Sequence, residues 1–213
     1  MYHVHTMNTT LKAKYEAAKK TGILNVSDMK LEILPTLPNS IVRLDCSNNL
    51  LTSLPHLPDS LTGLNCSKNR LTTLPSLPDS LTELYCSYNT CTSLPTLPSS
   101  LTYLYCNNNE LASLPILPDS LKHLHCQENQ LVSMPNLADS LIYLVCNKNP
   151  WNEQFAEFLN APDPLLGLQL YYTDDTTRIE NTTRIDDTIT NILYSMLRPL
   201  VACRRTNRHF LAV

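Results

Sequence analysis

Glycine is nearly absent from this sequence, with 3 residues among 213. Loops that cradle phosphate and turns that bind dinucleotides are built on clustered glycines, and neither pattern occurs. No run of about 18 apolar residues is present, so no ordinary membrane span is expected. A dominant charge is lacking too: 16 Lys and Arg stand against 19 Asp and Glu, for a net charge of −3. No strong field therefore draws the chain to nucleic acid or to a membrane surface. The opening MYHVHTMNTTLKAKYEAAKK has no apolar h-region, so no secretory signal is expected and the expected compartment is the cytoplasm. Zinc-ligand spacings and a G-x-S-x-G nucleophile turn are missing as well.

What the chain has instead is 15 prolines and a period of 20. Cysteine recurs at Cys46, Cys66, Cys86, Cys106, Cys126 and Cys146. Leucine precedes each by two, from Leu44 to Leu144, and asparagine follows by three, from Asn49 to Asn149. LPxLP segments run from Pro35 and Pro38 to Pro115 and Pro118, each followed by a serine such as Ser60 or Ser80. An earlier, degenerate unit starts at Leu24, with Val26 in the cysteine slot. The unit LxxLxCxxNxLxxLPxLPxS fits the leucine-rich repeat formula at the short end of its length range. Each LxC predicts a short strand, and the stacked strands a parallel sheet. Prolines lack the N–H groups a helix needs, so the convex side is expected to be extended and polyproline-like.

A slot that takes Val26 or Cys46 is apolar and inward, and free cysteine behaves as a small hydrophobe. Strand spacing of roughly 4.8 Å holds stacked Cβ atoms farther apart than a disulfide allows. A linear ladder also cannot converge its thiolates on one zinc. The six cysteines, and Cys91 in a leucine slot, are therefore read as reduced packing residues, which suits a cytosolic protein. The asparagine after each strand is expected to bond turn backbone left otherwise unpaired.

Solenoid ends need covering. Residues 1–22 are read as an N-terminal helical cap, with Leu11, Tyr15 and Ala18 on one face and Gly22 as the stop. Residues 23–150 hold the repeats, and 151–213 form a C-terminal helical cap and tail. In that last segment Trp151, Phe155, Phe158 and Leu159 make one apolar stripe. Leu165 to Tyr172 reads equally as strand or helix, and Ile189, Ile192, Leu193 and Met196 fall at helical spacing.

By strand alternation, the residues flanking each buried leucine face outward on the concave side. They are small and polar at first, as in Asn25, Asp45, Gly63 and Asn65, and Val145 and Asn147 are read as outward at the last rung. Toward the C-terminus they become Tyr85, Tyr103, Tyr105, His123, His125 and Tyr143. Tyrosine combines apolar area with a hydroxyl at low entropic cost, so these six are the expected partner-binding set. Tyrosines also stabilise sheets through neighbouring-strand contacts, and that reading stands beside the first. His123 and His125 lie two apart on one face, but no third ligand is evident, so neither a metal nor any cofactor is expected.

The motif as it stands in LTGLNCSKNRLTTLPSLPDS closely resembles the LPX-type repeats of bacterial effector proteins. Its cysteine-bearing form also looks like repeat proteins of giant DNA viruses that infect amoebae. The resemblance covers about Leu24 to Asn149. It implies a right-handed curved solenoid that recognises a protein partner in a host cell, in the host cytoplasm. Some such effectors carry a ubiquitin-ligase domain with a catalytic CxD motif. Here VACRRTN, around Cys203, has no following Asp, so ligase activity is not carried over. Arg204 and Arg205 favour a Cys203 thiolate, but His209 is the one nearby basic partner and no orienting group is evident. The expected function is non-catalytic protein binding. The alternatives are an enzyme or ligase-type adaptor acting through the C-terminal segment, and a self-associating scaffold.

Overall fold

The computed structural model describes residues 9–150 apart from Met134, Asn136, Asp139 and Asn147, together with residues 169–171. A helix, α1 (Thr9–Thr21), leads into seven three-residue strands: β1 (Ile23–Asn25), β2 (Arg43–Asp45), β3 (Gly63–Asn65), β4 (Glu83–Tyr85), β5 (Tyr103–Tyr105), β6 (His123–His125) and β7 (Tyr143–Val145). They stack in chain order as one parallel sheet, and each residue pairs with the one twenty positions on, as Leu44 with Leu64. The register therefore equals the sequence period, so every column of the sheet can be read directly from the repeat.

In each strand the middle leucine points inward, and Leu24 to Leu144 are all buried. Cys46, Cys66, Cys86, Cys106, Cys126 and Cys146 follow in the same wall with no more than 2% exposure, and Val26 occupies their column. All seven described cysteines are unpaired thiols. Burial pushes Cys46 and Cys146 up to about 12 and Cys91 up to about 11. The four between them, from Cys66 to Cys126, are also raised by burial. At neutral pH the ladder is thiol, the form that packs and does not attack.

The asparagine column satisfies the turn that ends each strand. Asn109 Nδ2 donates to Cys86 O at 3.1 Å and to Cys106 O at 3.0 Å, while its Oδ1 accepts the Cys91 N–H at 3.0 Å. Asn49, Asn69, Asn89, Asn129 and Asn149 repeat this bridge between successive rungs. A buried amide with every donor and acceptor engaged stabilises the turn, whereas the carbonyls it serves would otherwise be orphaned.

On the far side the LPxLP segments carry neither helix nor strand. Each closes in a turn, as where Leu61 N–H donates to Pro58 O at 3.0 Å. The serine of the turn reaches back one rung: Ser80 Oγ lies 2.6 Å from Asp59 O and 2.7 Å from Leu61 O. This serine contact recurs at Ser60, Ser100, Ser120 and Ser140.

Of the expected N-terminal cap, residues 9–22 are described. Leu11, Tyr15 and Ala18 are the buried face of α1, and Gly22, at φ 72°, ends it by donating to Ala18 O at 2.8 Å. Tyr15 OH donates to Pro35 O at 3.1 Å and Lys14 Nζ to Asn25 O at 2.8 Å, tying the helix to the first rung. At the other end β7 is joined by β8 (Gln169–Tyr171), which runs antiparallel and pairs Tyr143 with Tyr171. Of the two readings of Leu165 to Tyr172, strand is the one observed for these three residues. The expected helices around Trp151 and Ile192, and the thiol of Cys203, lie outside the described residues.

Candidate recognition face

Two columns of side chains stand on the open face of the sheet. One runs Ile23, Arg43, Gly63, Glu83, Tyr103, His123 and Tyr143; the other Asn25, Asp45, Asn65, Tyr85, Tyr105, His125 and Val145. The register brings all six expected partner-binding residues onto adjacent rungs of this one surface.

In the N-terminal half, polar groups are turned inward on themselves. Asp45 Oδ1 accepts both the Ser47 N–H at 3.0 Å and the Ser47 hydroxyl at 2.7 Å. Asn25 treats Ser27 the same way. Arg43 and Glu83 form an ion pair at 3.3 Å although they are two rungs apart. Gly63 lies on the rung between them: a Cβ built there would stand 3.5 Å from Arg43 Cγ and 3.7 Å from Glu83 Oε2, ordinary contact distances to both partners.

The C-terminal half is a set of stacked rings. Tyr85 meets Tyr105 edge-on at 5.0 Å. Tyr105 stacks on His125 at 3.9 Å, and His125 on Tyr143 at 4.9 Å. In the neighbouring column Tyr103 stacks on His123 at 4.7 Å, and His123 on Tyr143 at 5.8 Å. All six rings are half-buried. Burial, with Lys122 second, lowers the His123 pKa; burial, with His123 second, lowers that of His125. Burial likewise raises the Tyr85 and Tyr105 phenols, so both are neutral donors at physiological pH. His125 Nε2 and Gln127 Oε1 are both buried without a hydrogen-bond partner.

Three features differ from the sequence reading or were absent from it. Val145, expected to face outward, is only 6% exposed, and its backbone pairs with Gln169 of β8. Ser87 and Asn107 are also buried, because the Ser87 hydroxyl lies 2.6 Å from Asn107 Oδ1 across the rung. The residue two after each strand cysteine, or after Val26, has positive φ: Asp28, Asn48, Lys68, Tyr88, Asn108, Glu128 and Lys148. The signal for this column was Asp or Asn at 28, 48 and 108, the residue types that best tolerate the left-handed region. Among the described residues no group of three His, Cys, Asp or Glu side chains is placed to hold a metal ion.

Parallel three-residue strands, an inward leucine–cysteine wall, an asparagine ladder and proline-rich return segments define a leucine-rich repeat solenoid. Its solved neighbours include bacterial effector proteins. YopM from Yersinia enterocolitica WA-314 superposes with a TM-score of 0.59 at 41% identity, over 59% of this chain and 28% of that one. YopM of Yersinia pestis, a leucine-rich effector protein, gives 0.56 at 29% identity, over 66% of this chain and 47% of that one. A Shigella effector LRR domain gives 0.59 at 28% identity, over 72% of this chain and 84% of that one. This chain thus spans less than half the length of either YopM protein. No protein-family profile and no curated protein matches it.

Proposed function

We propose that the chain is a non-catalytic recognition module that binds a protein partner on its concave face, and that the partner is a host protein met in the cytoplasm. The contact set is Tyr85, Tyr103, Tyr105, His123, His125 and Tyr143. One observation carries the reading: the six rings occupy consecutive rungs of one open surface, half-exposed, over a core that the rest of the solenoid builds without them. Clustered tyrosines with their polar tips toward solvent are the composition of binding hot spots. The effector neighbours support protein recognition as the use of this fold. Repeats 23–150 are the recognition domain in this reading, with residues 1–22 and 151–213 closing its ends.

The test is affinity capture from host-cell lysate with wild type and Tyr103→Ala/Tyr105→Ala side by side, with circular dichroism confirming that both are folded. Specific partners retained by wild type and lost from the folded variant are the expected result. Identical capture by the two proteins would move the binding site off the concave face.

A further inference from the structure

A second surface runs along the solenoid beside the open face, where the left-handed column and the residue two further on in each turn form a ridge. Of the seven parallel rungs that of β4 is the middle one, and there the ridge carries Tyr88. Its side chain is exposed, at 53%, and makes no hydrogen bond or ring contact among the described residues. The other rungs fill this position with Asp28, Asn48, Lys68, Asn108, Glu128 and Lys148. A bulky aromatic residue at φ 57° is held against its own backbone preference, in a place where the repeat otherwise puts polar side chains.

Charge on the ridge changes sign across Tyr88. On the rung before it Lys68 and Arg70 are exposed, and on the rung after it Glu110 is exposed, none with a counter-ion among the described residues. Farther out, Glu128 is held by Lys148 at 2.7 Å, and Asp28 accepts from Asn48. The strands stack in chain order at one register, so a two-fold axis crossing the ridge at Tyr88 matches β3 with β5, β2 with β6 and β1 with β7 of a second copy. Arg70 then faces Glu110, Asp28 faces Lys148, and the two Tyr88 rings meet at the centre. Lys68 falls opposite Asn108 and Lys30 opposite Pro150, so no like charges oppose each other anywhere along the strip.

We propose that this ridge is a self-association surface, on which a second copy of the chain docks antiparallel about a two-fold axis at Tyr88. Both copies use the same patch, so each ion pair is made twice, and tyrosine at the centre is the residue type that anchors such contacts. A strip of seven rungs is about 29 Å long and, at three extended residues, about 10 Å wide. Two copies then bury on the order of 600 Å² in total, below the size of a stable dimer. Association is accordingly weak, and its ion pairs make it sensitive to salt. The rings of the concave face lie on another surface and stay open, so the pair presents two recognition faces to one partner assembly.

Sedimentation velocity of the full chain, from about 10 to about 500 µM, reads the association. Wild type is expected to gain mass with concentration and to lose that gain in about 0.5 M salt. Tyr88→Asn, which installs the residue of the Asn48 and Asn108 rungs, should stay folded by circular dichroism and stay monomeric. Arg70→Glu and Glu110→Arg, each at an exposed position, should also be monomeric alone. Mixed in equal amounts these two should form a heterodimer at least about ten-fold tighter than either variant's self-association, since every reversed charge then meets its opposite. Tyr103→Ala/Tyr105→Ala should associate as wild type does, which separates this surface from the concave-face reading. A wild type that stays monomeric throughout, a mixture no tighter than its components, or self-association untouched by Tyr88→Asn would each overturn the proposal.

Discussion

The two halves of the open sheet rest on the same foundation and look nothing alike. Under β2 and under β5 the inward residues are the same, Leu44 and Cys46 against Leu104 and Cys106, all at most 2% exposed. Above them, Arg43 and Asp45 spend their polar groups on Glu83 and Ser47, whereas Tyr103 and Tyr105 stack on histidines and leave their hydroxyls unpaired. The fold makes no demand that separates these rungs, because the core, the asparagine bridge and the serine turn recur through both. What differs between the halves is what a partner would meet.

If the foundation is common, breaking it should cost the same in either half. Asn69→Ala and Asn109→Ala each strip the contacts to two strand-cysteine carbonyls and orphan the N–H group that the Oδ1 serves. Each is expected to lose about 3 kcal/mol in urea unfolding, since every abandoned buried group costs about 1–3 kcal/mol. Unequal losses would mean that the aromatic half has its own scaffold. Next in size is the cysteine wall. Cys106→Ser buries a hydroxyl in an apolar column and should cost about 2 kcal/mol. Cys106→Val, which copies the Val26 rung, should cost under about 1.5 kcal/mol.

The upper layer should behave in the opposite way, with small energies and large effects on binding. Tyr103→Ala/Tyr105→Ala removes half-exposed ring contacts worth about 1 kcal/mol each and abolishes capture. Asp45→Ala/Asn65→Ala should leave capture unchanged, and equal loss from both variants would erase the distinction between the halves. Protonation offers a finer test. Both imidazoles have lowered pKa values in the fold, so as pH falls the unfolded chain takes up protons first. Their contribution is fully present above the ordinary value of about 6.5 and is lost as pH falls through the folded values. Urea midpoints across that window should slope downward toward acid, and His123→Gln/His125→Gln should flatten the slope.

The inward half of this architecture was legible because the period is strict. Val26 in a cysteine column fixed the meaning of Cys46, and Leu11, Tyr15 and Ala18 announced the cap by spacing alone. The six aromatic positions followed from strand alternation, since a register equal to the period leaves no freedom about which residues neighbour each other. Rotamers and absences were not legible. The Arg43–Glu83 pair spans forty residues and passes over Gly63 on the rung between. Burial of Val145 went unseen because its partner strand, β8, arrives from outside the repeat and runs against it. The left-handed column was masked by its mixed chemistry, where Tyr88, Glu128 and two lysines obscure the Asp and Asn at the other rungs.

That column carries the smallest effect and separates the rungs along a different line. Lys68 holds φ 55° with a side chain that crowds its own carbonyl, a cost of roughly 1 kcal/mol for a residue with an ordinary Cβ. Its N–H still donates to Ser87 O at 2.8 Å, so the conformation is imposed by the ladder and survives substitution. Lys68→Gly removes the crowding but frees the unfolded chain, and the two nearly offset, leaving a gain of about 0.5 kcal/mol, visible as a small rise in Tm. Asn108 sits at φ 54° with its amide donating to Glu128 Oε2 at 2.5 Å, and Asn48 donates to Asp28. Asn108→Gly sacrifices that bond and relieves little strain, so its Tm should fall. A gain at both sites would show that backbone strain outweighs the rung-to-rung amide bonds; a loss at both would show that Lys68 packs usefully in the N-terminal half.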